Sequence, residues 1–551
     1  MSPKYRLLWT LSILYLSTLS LPTHAMAQTT QQVLRTLYSN HFQLSSKGIP
    51  KITVGLMENK RRVRFYCTQD CTAYVYRNKT SPQQVQLLAN QPVTLSLQSH
   101  SKAHTRYWMT AFRVHQQHTS LWKRLAKTWK DRNISLVSRK IGTVFSLNGK
   151  LLDNRMLLAV LGFYSTYREA KREATRLFTR YQTPIRIHEQ LTKLPGARYV
   201  MRQGQQQWSV NRIARIDPGA GRITINRMEQ GRNTRRHRFR TKSYQGEIIF
   251  APDRHGKIAV INRLPLPTYL RGLLPAEMPA YAPLEALKAQ AVCARNEILA
   301  KIGSRHHADP YLFCAHTHCQ VYAGANATHP RTNKAVSETR GQVLMLSKTR
   351  MADTPYSAVC GGHTEHNEHV WFTPQNMSLR GKPDTPNATK TMSLQGATLQ
   401  RWLTTSPAAY CSNRRTRRRG RFRWQKSYSI TQITNLLKRR YDVGNVLDMK
   451  VTKRGVSGRA YAMKIVGDKK QILIHGELTI RKLFGNLSSS MFILRKRSVG
   501  GRLWGWQFIG GGWGHGVGMC QHGAMGRARA GHTYRKILKH YYSKTSLIRV
   551  Y

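Results

Sequence analysis

Ninety lysines and arginines stand against 24 aspartates and glutamates, a formal charge of +66 that is spread along the whole of a 551-residue chain rather than gathered in a tail. Whatever this chain folds into must carry that surplus on its surface and meet anionic partners there. Nucleic acid is the usual partner of so basic a protein, but the N-terminus points elsewhere. Lys4 and Arg6 precede an apolar stretch over residues 7–21, and Ala25-Met26-Ala27 supplies a small-x-small cleavage pattern. The stretch is short for a membrane span and is interrupted by Thr and Ser, so residues 1–27 read as a signal peptide, with an uncleaved anchor as the alternative. An exported chain, periplasmic or cell-wall-associated, meets wall polymers and membrane headgroups, and no nucleic acid is expected as its partner. The charge also fits a general basic bias of the source proteome; it locates a protein on a surface and does not specify its chemistry.

The length allows two or three domains. Residues 28–140 mix short β-rich runs, such as 52–56 and 63–66, with basic loops, and read as a β-rich accessory region. An apolar strand at 156–161 then leads through Gly162-Phe163-Tyr164-Ser165 into a helix over 167–181, with Ala170, Ala174, Leu177 and Phe178 at helical spacing. Placed at 150–200, this strand, turn and helix resembles a SPOR module, a fold that binds glycan strands stripped of peptides; an unrelated α/β connector is the competing reading. Polar residues at 204–207 and the arginine run 232–238 put a domain edge near residue 200.

From 205 to 551 the pattern is that of one mixed α/β domain, so the fold class is α+β: a mixed α/β catalytic domain with a β-rich N-terminal accessory region. Strands are predicted at 248–250, 258–261, 342–346, 447–452, 461–465, 471–475 and 507–509. A long helix opens at Pro283, carries Leu284, Leu287, Ala291, Ala294 and Ile298 on one face, and stops at Gly303. The block 414–421, with six arginines, reads as an exposed loop. Eight cysteines in an exported chain allow up to four disulfides, and Cys67 and Cys71 are placed to close a small hairpin loop.

In a chain with so few acids, a carboxylate among apolar and proline residues stands out. Glu277 lies in Leu273-Leu274-Pro275-Ala276-Glu277-Met278-Pro279. Desolvation there raises its pKa and keeps it protonated, as a general acid for a glycosidic oxygen must be; the alternative is a Glu turned to solvent. The polar side of the following helix, with Glu285, Lys288, Gln290 and Arg295, looks toward the same turn, and Glu285 in its first turn also reads as a capping residue. Residues 510–523 pack glycines around Trp513 and His515 without the Gly-Lys-Ser/Thr ending of a phosphate loop or the order of a dinucleotide fingerprint. Trp513 can stack on a sugar face, and His515 either orients a ligand or the acid or ties down backbone carbonyls. His307, Cys314 and Cys319, with His306, His316 and His318 nearby, offer nitrogen and sulfur ligands to zinc, and a Cys314–Cys319 disulfide competes with the metal. A cysteine peptidase would need a base beside Cys360 or Cys520, and none is evident.

These segments together resemble the SpoIID/LytB family of sporulation and cell-wall proteins, from about Gly246 to the end. The resemblance runs through Asn262-Arg263-Leu264-Pro265-Leu266-Pro267-Thr268-Tyr269-Leu270-Arg271-Gly272, then Leu274-Pro275-Ala276-Glu277-Met278-Pro279 and Glu285-Ala286-Leu287-Lys288-Ala289-Gln290-Ala291-Val292. It continues through His318-Cys319-Gln320-Val321-Tyr322, Thr339-Arg340-Gly341-Gln342-Val343-Leu344, Cys360-Gly361-Gly362-His363-Thr364-Glu365 and Gly514-His515-Gly516-Val517-Gly518-Met519. It implies a peptidoglycan lytic transglycosylase acting on peptide-stripped glycan strands, with Glu277 as catalytic acid/base and an N-acetylmuramoyl-L-alanine amidase as partner. The expected substrate contacts are Lys288, Gln290, Arg295, Gly361, Gly362, Thr364, Trp513 and His515, and the resemblance supports zinc near the His-Cys-Gln-Val-Tyr segment. A non-catalytic amidase enhancer or wall-binding scaffold of the same fold is the alternative. Cys520 stands where serine is more common in the family, and the arginine-rich block near 414–421 is unusual.

Overall fold

Apolar residues at every second position drive the N-terminal third into strands with one dry face. Ile52, Val54 and Leu56 of Pro50–Lys60, Val63 and Phe65 of Arg62–Cys67, and Val93 and Leu95 of Val93–Ser101 are all buried. The computed structural model describes residues 29–551 apart from 40, 78–80, 182, 231–237, 387–391 and 439, so the candidate signal peptide and most of the 232–238 run lie outside the described residues.

These strands do not make an accessory region of their own. Pro50–Lys60 pairs antiparallel with Ile258–Pro265, Val54 opposite Asn262, and that strand runs directly into the helix Leu266–Glu277. The same sheet continues through Glu247–Pro252, Ala214–Asp217, Cys71–Val75 and Gln83–Leu87. A second sheet runs Gln206–Asn211, Gly196–Gln203, Val93–Ser101, Arg62–Cys67, Ile223–Gln230, Arg238–Tyr244. Phe65, Val93, Tyr199 and Ile223 of the second sheet share one core with Ile52, Phe250 and Val260 of the first and with Leu270, Leu273, Leu287 and Ala291 of the helices. The Cys67–Cys71 disulfide closes the corner where the chain passes from one sheet to the other. The α+β class with a β-rich N-terminal region is what the structure shows, while the strands of 28–140 share sheets and a core with those after residue 205. Alternation reveals that a strand has a dry face, not which distant strand lies beside it.

The strand and helix expected at 150–200 are present as the second half of a larger unit. Arg186–Lys193, His104–His115, Met156–Tyr164 and Val137–Ile141 form, in that order, a four-stranded antiparallel sheet. Helices Thr119–Lys130 and Tyr167–Tyr181 cover one face, where Met109 packs on Ala170 and Leu177, and Ala111 on Trp129. Strand-helix-strand-strand-helix-strand with this order is the ferredoxin-like arrangement. The unit begins at His104 because a single strand and helix cannot bury their own apolar faces. It is inserted between Val93–Ser101 and Gly196–Gln203, which pair with each other.

The C-terminal half holds a second core of Trp424, Ile433, Met463, Ile465, Trp506 and Phe508, built on the sheets Arg423–Ser429/Arg502–Gly511/Phe492–Val499 and Val446–Arg454/Ala460–Gly467/Gln471–His475. The chain then returns through the glycine-rich loop to Gln521–Arg529 and Tyr534–Tyr541, which pack on the buried, alanine-rich helix Leu284–Leu299. The arginine block departs from the loop predicted for it: Asn413 and Thr416 form a capping box that folds Arg414–Arg418 into a short helix. No helix among the described residues is long and apolar enough to cross a membrane.

Candidate active site

Prolines set both ends of the helix that carries Glu277. Pro265 caps Leu266–Glu277 and Pro267 occupies its first turn, while Leu266, Tyr269, Leu270, Leu273 and Leu274 are buried. At the far end Met278 is extended (φ −136°, ψ 132°), as the following Pro279 favours. The helix thus stops at Glu277 and leaves its carboxyl at the negative pole of the helix dipole. Gly272 lets this helix lie against the next segment; a Cβ there would stand 2.8 Å from the Gly324 carbonyl oxygen and from the Tyr322 ring.

That close approach delivers the partners of the carboxyl. The Val321 N–H donates to Glu277 Oε1 at 2.9 Å, and the Tyr356 hydroxyl donates to the same carboxyl. Gln521 Nε2 donates to the Glu277 carbonyl oxygen at 2.8 Å and to Gln290 Oε1 at 3.3 Å. Burial raises the pKa of Glu277 above the ordinary carboxylate value, and the bonds from Val321 and Tyr356 oppose it only in part. Gln320 accepts from the Tyr269 hydroxyl at 3.4 Å and donates to the Tyr356 hydroxyl at 3.3 Å, while Tyr322 donates to Asn262 Oδ1 at 3.0 Å. The segment from His318 to Tyr322 is therefore fixed almost residue by residue around the acid.

The glycine-rich loop adjoins the site, its Gln521 reaching the Glu277 carbonyl and its His515 the Tyr356 carbonyl. Its Trp513 exchanges backbone hydrogen bonds with Val359 at 2.7 and 3.1 Å and leaves its ring 45% exposed, with the Arg421 guanidinium 5.6 Å from the ring centre. Tyr281, just beyond the acid, is 54% exposed and lies under Arg415 at 5.0 Å. His515 takes the structural alternative. Its Nε2 donates to the Tyr356 carbonyl at 3.0 Å and its Nδ1 accepts from Val517 N–H at 3.0 Å, and burial holds its pKa down to about 3. Neutral His515 fixes the backbone of Tyr356, whose hydroxyl meets Glu277, and does not itself reach the acid.

Of the other expected substrate contacts, Gln290 reaches the site, through Gln521, and its own Nε2 has no partner among the described residues. The rest are placed elsewhere, and the reason is their packing. Arg295 is buried and spends its guanidinium on the Gln342 carbonyl and the Tyr551 hydroxyl. Lys288 pairs with Glu285 at 2.8 Å and Glu338 at 2.6 Å, and Glu285 caps a neighbouring helix by accepting from Tyr534 N–H. Gly361 accepts from the Trp402 indole, Gly362 lies against the Trp402 ring, and Thr364 is hydrogen-bonded to the Lys382 backbone. Cys360 and Cys520 are buried beside Asp384 and Cys411, a group that no histidine joins among the described residues. Val321 and Gln320 lie in the His-Cys-Gln-Val-Tyr segment and Gln521 in the glycine-rich stretch, where spacing does not reveal their contacts; Tyr356 and Tyr281 carry no signal beyond their residue type.

Four metal-ligating side chains meet next to this site: His306, Cys314, His318 and Cys319, all ligand atoms within 4.8 Å of one another. His306 Nε2 is 3.2 Å from Cys319 Sγ, and His318 Nδ1 is 3.7 and 3.6 Å from the two sulfurs. The other nitrogen of His306 is held by Asp309 at 2.8 Å, as the outer partner of a ligating histidine should be. Both cysteines are free thiols, and the donor set fits tetrahedral zinc. His307 is corrected out of this group. His306 has a left-handed backbone (φ 55°), which turns its neighbour away into a cleft with Trp108 and Arg139.

Residues 254–346 match the family model described as Stage II sporulation protein (SpoIID), and residues 365–518 match a domain of unknown function, DUF8618. An amidase enhancer of Bacillus subtilis is 30% identical over 296 residues, which are 50% of this chain and 40% of that protein's length. An uncharacterized protein of Brachyspira hyodysenteriae is 30% identical over 312 residues, 55% of this chain and 72% of that protein.

Proposed function

The chain belongs to the SpoIID family, and from that premise we propose that it acts on the bacterial cell wall as a lytic transglycosylase, cutting peptide-stripped glycan strands with Glu277 as acid and then base. One observation carries the reading: a partly buried carboxyl of raised pKa is braced by Val321 N–H and the Tyr356 hydroxyl, with exposed Tyr281 four residues beyond it and exposed Trp513 in the glycine-rich loop whose Gln521 reaches the Glu277 carbonyl. Protonated Glu277 gives its proton to the glycosidic oxygen as the bond to the anomeric carbon breaks. The bond from Val321 to Oε1 leaves Oε2 to carry that proton and supports the carboxylate once it has left. The carboxylate then takes a proton from a hydroxyl of the same sugar, which attacks the anomeric carbon and closes an anhydro ring. Because the nucleophile is intramolecular, one carboxylate suffices where hydrolytic glycosidases use two.

Arg415 and Arg421, at the edge beside Tyr281 and Trp513, suit the carboxylates of a peptide-free glycan. His306, Cys314, His318 and Cys319 would give zinc four protein ligands and hence a structural role, fixing the turn that presents Val321. An amidase that strips the stem peptides is the natural partner.

The second reading is a non-catalytic amidase enhancer, favoured by the printed name of the Bacillus relative. Mass spectrometry of denuded strands after incubation with wild type and Glu277→Gln separates the two. Anhydro ends made by wild type and absent with Glu277→Gln support the enzyme. Hydrolysed reducing ends make it a glycosidase, and intact strands with undiminished amidase stimulation make it an enhancer.

A further inference from the structure

Beneath the glycine-rich loop, four chain segments bring three cysteines and an aspartate to one point in the dry interior. The ligand atoms of Cys360, Asp384, Cys411 and Cys520 all lie within 4.8 Å of one another, and each residue is at most 1% exposed. Cys360 Sγ is 3.6 Å from Cys411 Sγ and 3.4 Å from Asp384 Oδ2. Metal–sulfur bonds of about 2.3 Å in a tetrahedron set sulfur atoms roughly 3.8 Å apart, far beyond the length of a disulfide.

The surroundings are arranged as an outer shell for a metal. Cys520 Sγ accepts the backbone N–H groups of Cys360 at 3.1 Å and Gly523 at 3.2 Å, an environment for a thiolate. Asp384 is aimed by Arg527 Nε on Oδ1 at 2.9 Å and by the Tyr541 hydroxyl on Oδ2 at 2.8 Å. Gly523 keeps that geometry open, since a Cβ there would fall 2.1 Å from Asp384 Oδ2. Three packed thiols alone would not call for an oriented carboxylate in their midst.

We propose that Cys360, Cys411, Cys520 and Asp384 bind one structural zinc ion, separate from the His306 group and sharing no ligand with it. Tyr356 pairs with Met519 and Ser357 with Cys520 in a short parallel ladder. The ion pins both strands at the point where Tyr356 and Gln521 leave for Glu277. The inference does not rest on the transglycosylase reading.

The test is zinc content by mass spectrometry on the full chain, purified without chelator. The double variant Cys314→Ser/Cys319→Ser should retain about one zinc per chain, its X-ray absorption showing a shell of about three sulfurs and one oxygen. Adding Cys411→Ser should remove that zinc and shift thermal unfolding downward. A zinc-free double variant overturns the proposal, whether alkylation mapping finds a Cys360–Cys411 disulfide or three free thiols. Should the double variant fail to fold, the wild type decides: about two zinc ions per chain support the second site, and a single ion with histidine ligands overturns it.

Discussion

The two walls around Glu277 are built in opposite ways. The wall from residues 262–322 is short in sequence and open at its edge: Glu277 is partly buried, Cys319 half-buried and His318 exposed. The wall from 356–384, 411 and 513–523 is gathered from distant segments and dry, with Cys360, Asp384, Cys411 and Cys520 fully buried and His515 tied by both ring nitrogens. The first wall presents groups to a ligand; the second holds position, and within its residues 513–523 only Trp513 is exposed to solvent. If that division is right, substitutions in the first wall change rate more than stability, and substitutions in the second do the reverse.

The largest effect falls on the first wall. Glu277→Gln should lower glycan cleavage by at least about 10³-fold, within the range for loss of a general acid, while wall binding and the circular dichroism spectrum stay those of the wild type. A cleavage rate within tenfold of wild type would remove the carboxyl from the chemistry. Next comes the paired comparison of Cys319→Ser with Cys411→Ser. Loss of the Val321 N–H bond is worth on the order of 1–3 kcal/mol, so Cys319→Ser should slow cleavage about tenfold or more with a small change in Tm. Cys411→Ser should lower Tm clearly and leave the rate per folded molecule near wild type. The reverse pattern in rate and melting measurements would dissolve the division between the walls.

Trp513 breaks the rule by being the exposed residue of the dry wall, and it sharpens the comparison. Trp513→Ala should raise KM about tenfold, a loss of about 1.4 kcal/mol of binding, with kcat little changed. A fall in kcat alone would place the indole in the chemistry.

The same division governs what the amino-acid sequence makes legible. Glu277, Cys314 and Cys319 lie within a few dozen residues of one another, in segments whose spacing restricts where their side chains can go, and they were legible. The helix from Leu284 and the strands of residues 247–265 were legible too, because periodicity is a local property. Cys411 and Asp384 gave no sign of sharing a site with Cys360 and Cys520, since nothing local records a meeting of four segments. Sheet partners failed for the same reason: Pro50–Lys60 looked like part of an accessory region until Ile258–Pro265 appeared beside it. His307 fails for a different reason: one left-handed backbone angle at His306, which composition does not reveal, puts His306 and not His307 in the group.

The smallest effect concerns Glu277 without any substrate. Burial raises its pKa, so the folded chain keeps that proton at pH values where the unfolded chain, with an ordinary carboxyl near about 4.3, has released it. The native state then binds more protons than the unfolded state, and this residue's contribution to stability falls as pH rises through that window. Glu277→Gln removes the term. The variant should match wild type below about pH 3, where the carboxyl is protonated in both folded and unfolded chains, gain on it as pH climbs from the ordinary carboxylate value to the elevated one, and hold a constant advantage above. Other titrating groups are common to both chains and cancel when the two unfolding free energies, measured in urea at each pH, are subtracted. The cleavage rate of wild type should decline across that upper boundary, as its acid loses its proton. A variant less stable than wild type at neutral pH and equal to it in acid would mean that the site favours the carboxylate, a group suited to accept a proton first and unable to begin the reaction by donating one.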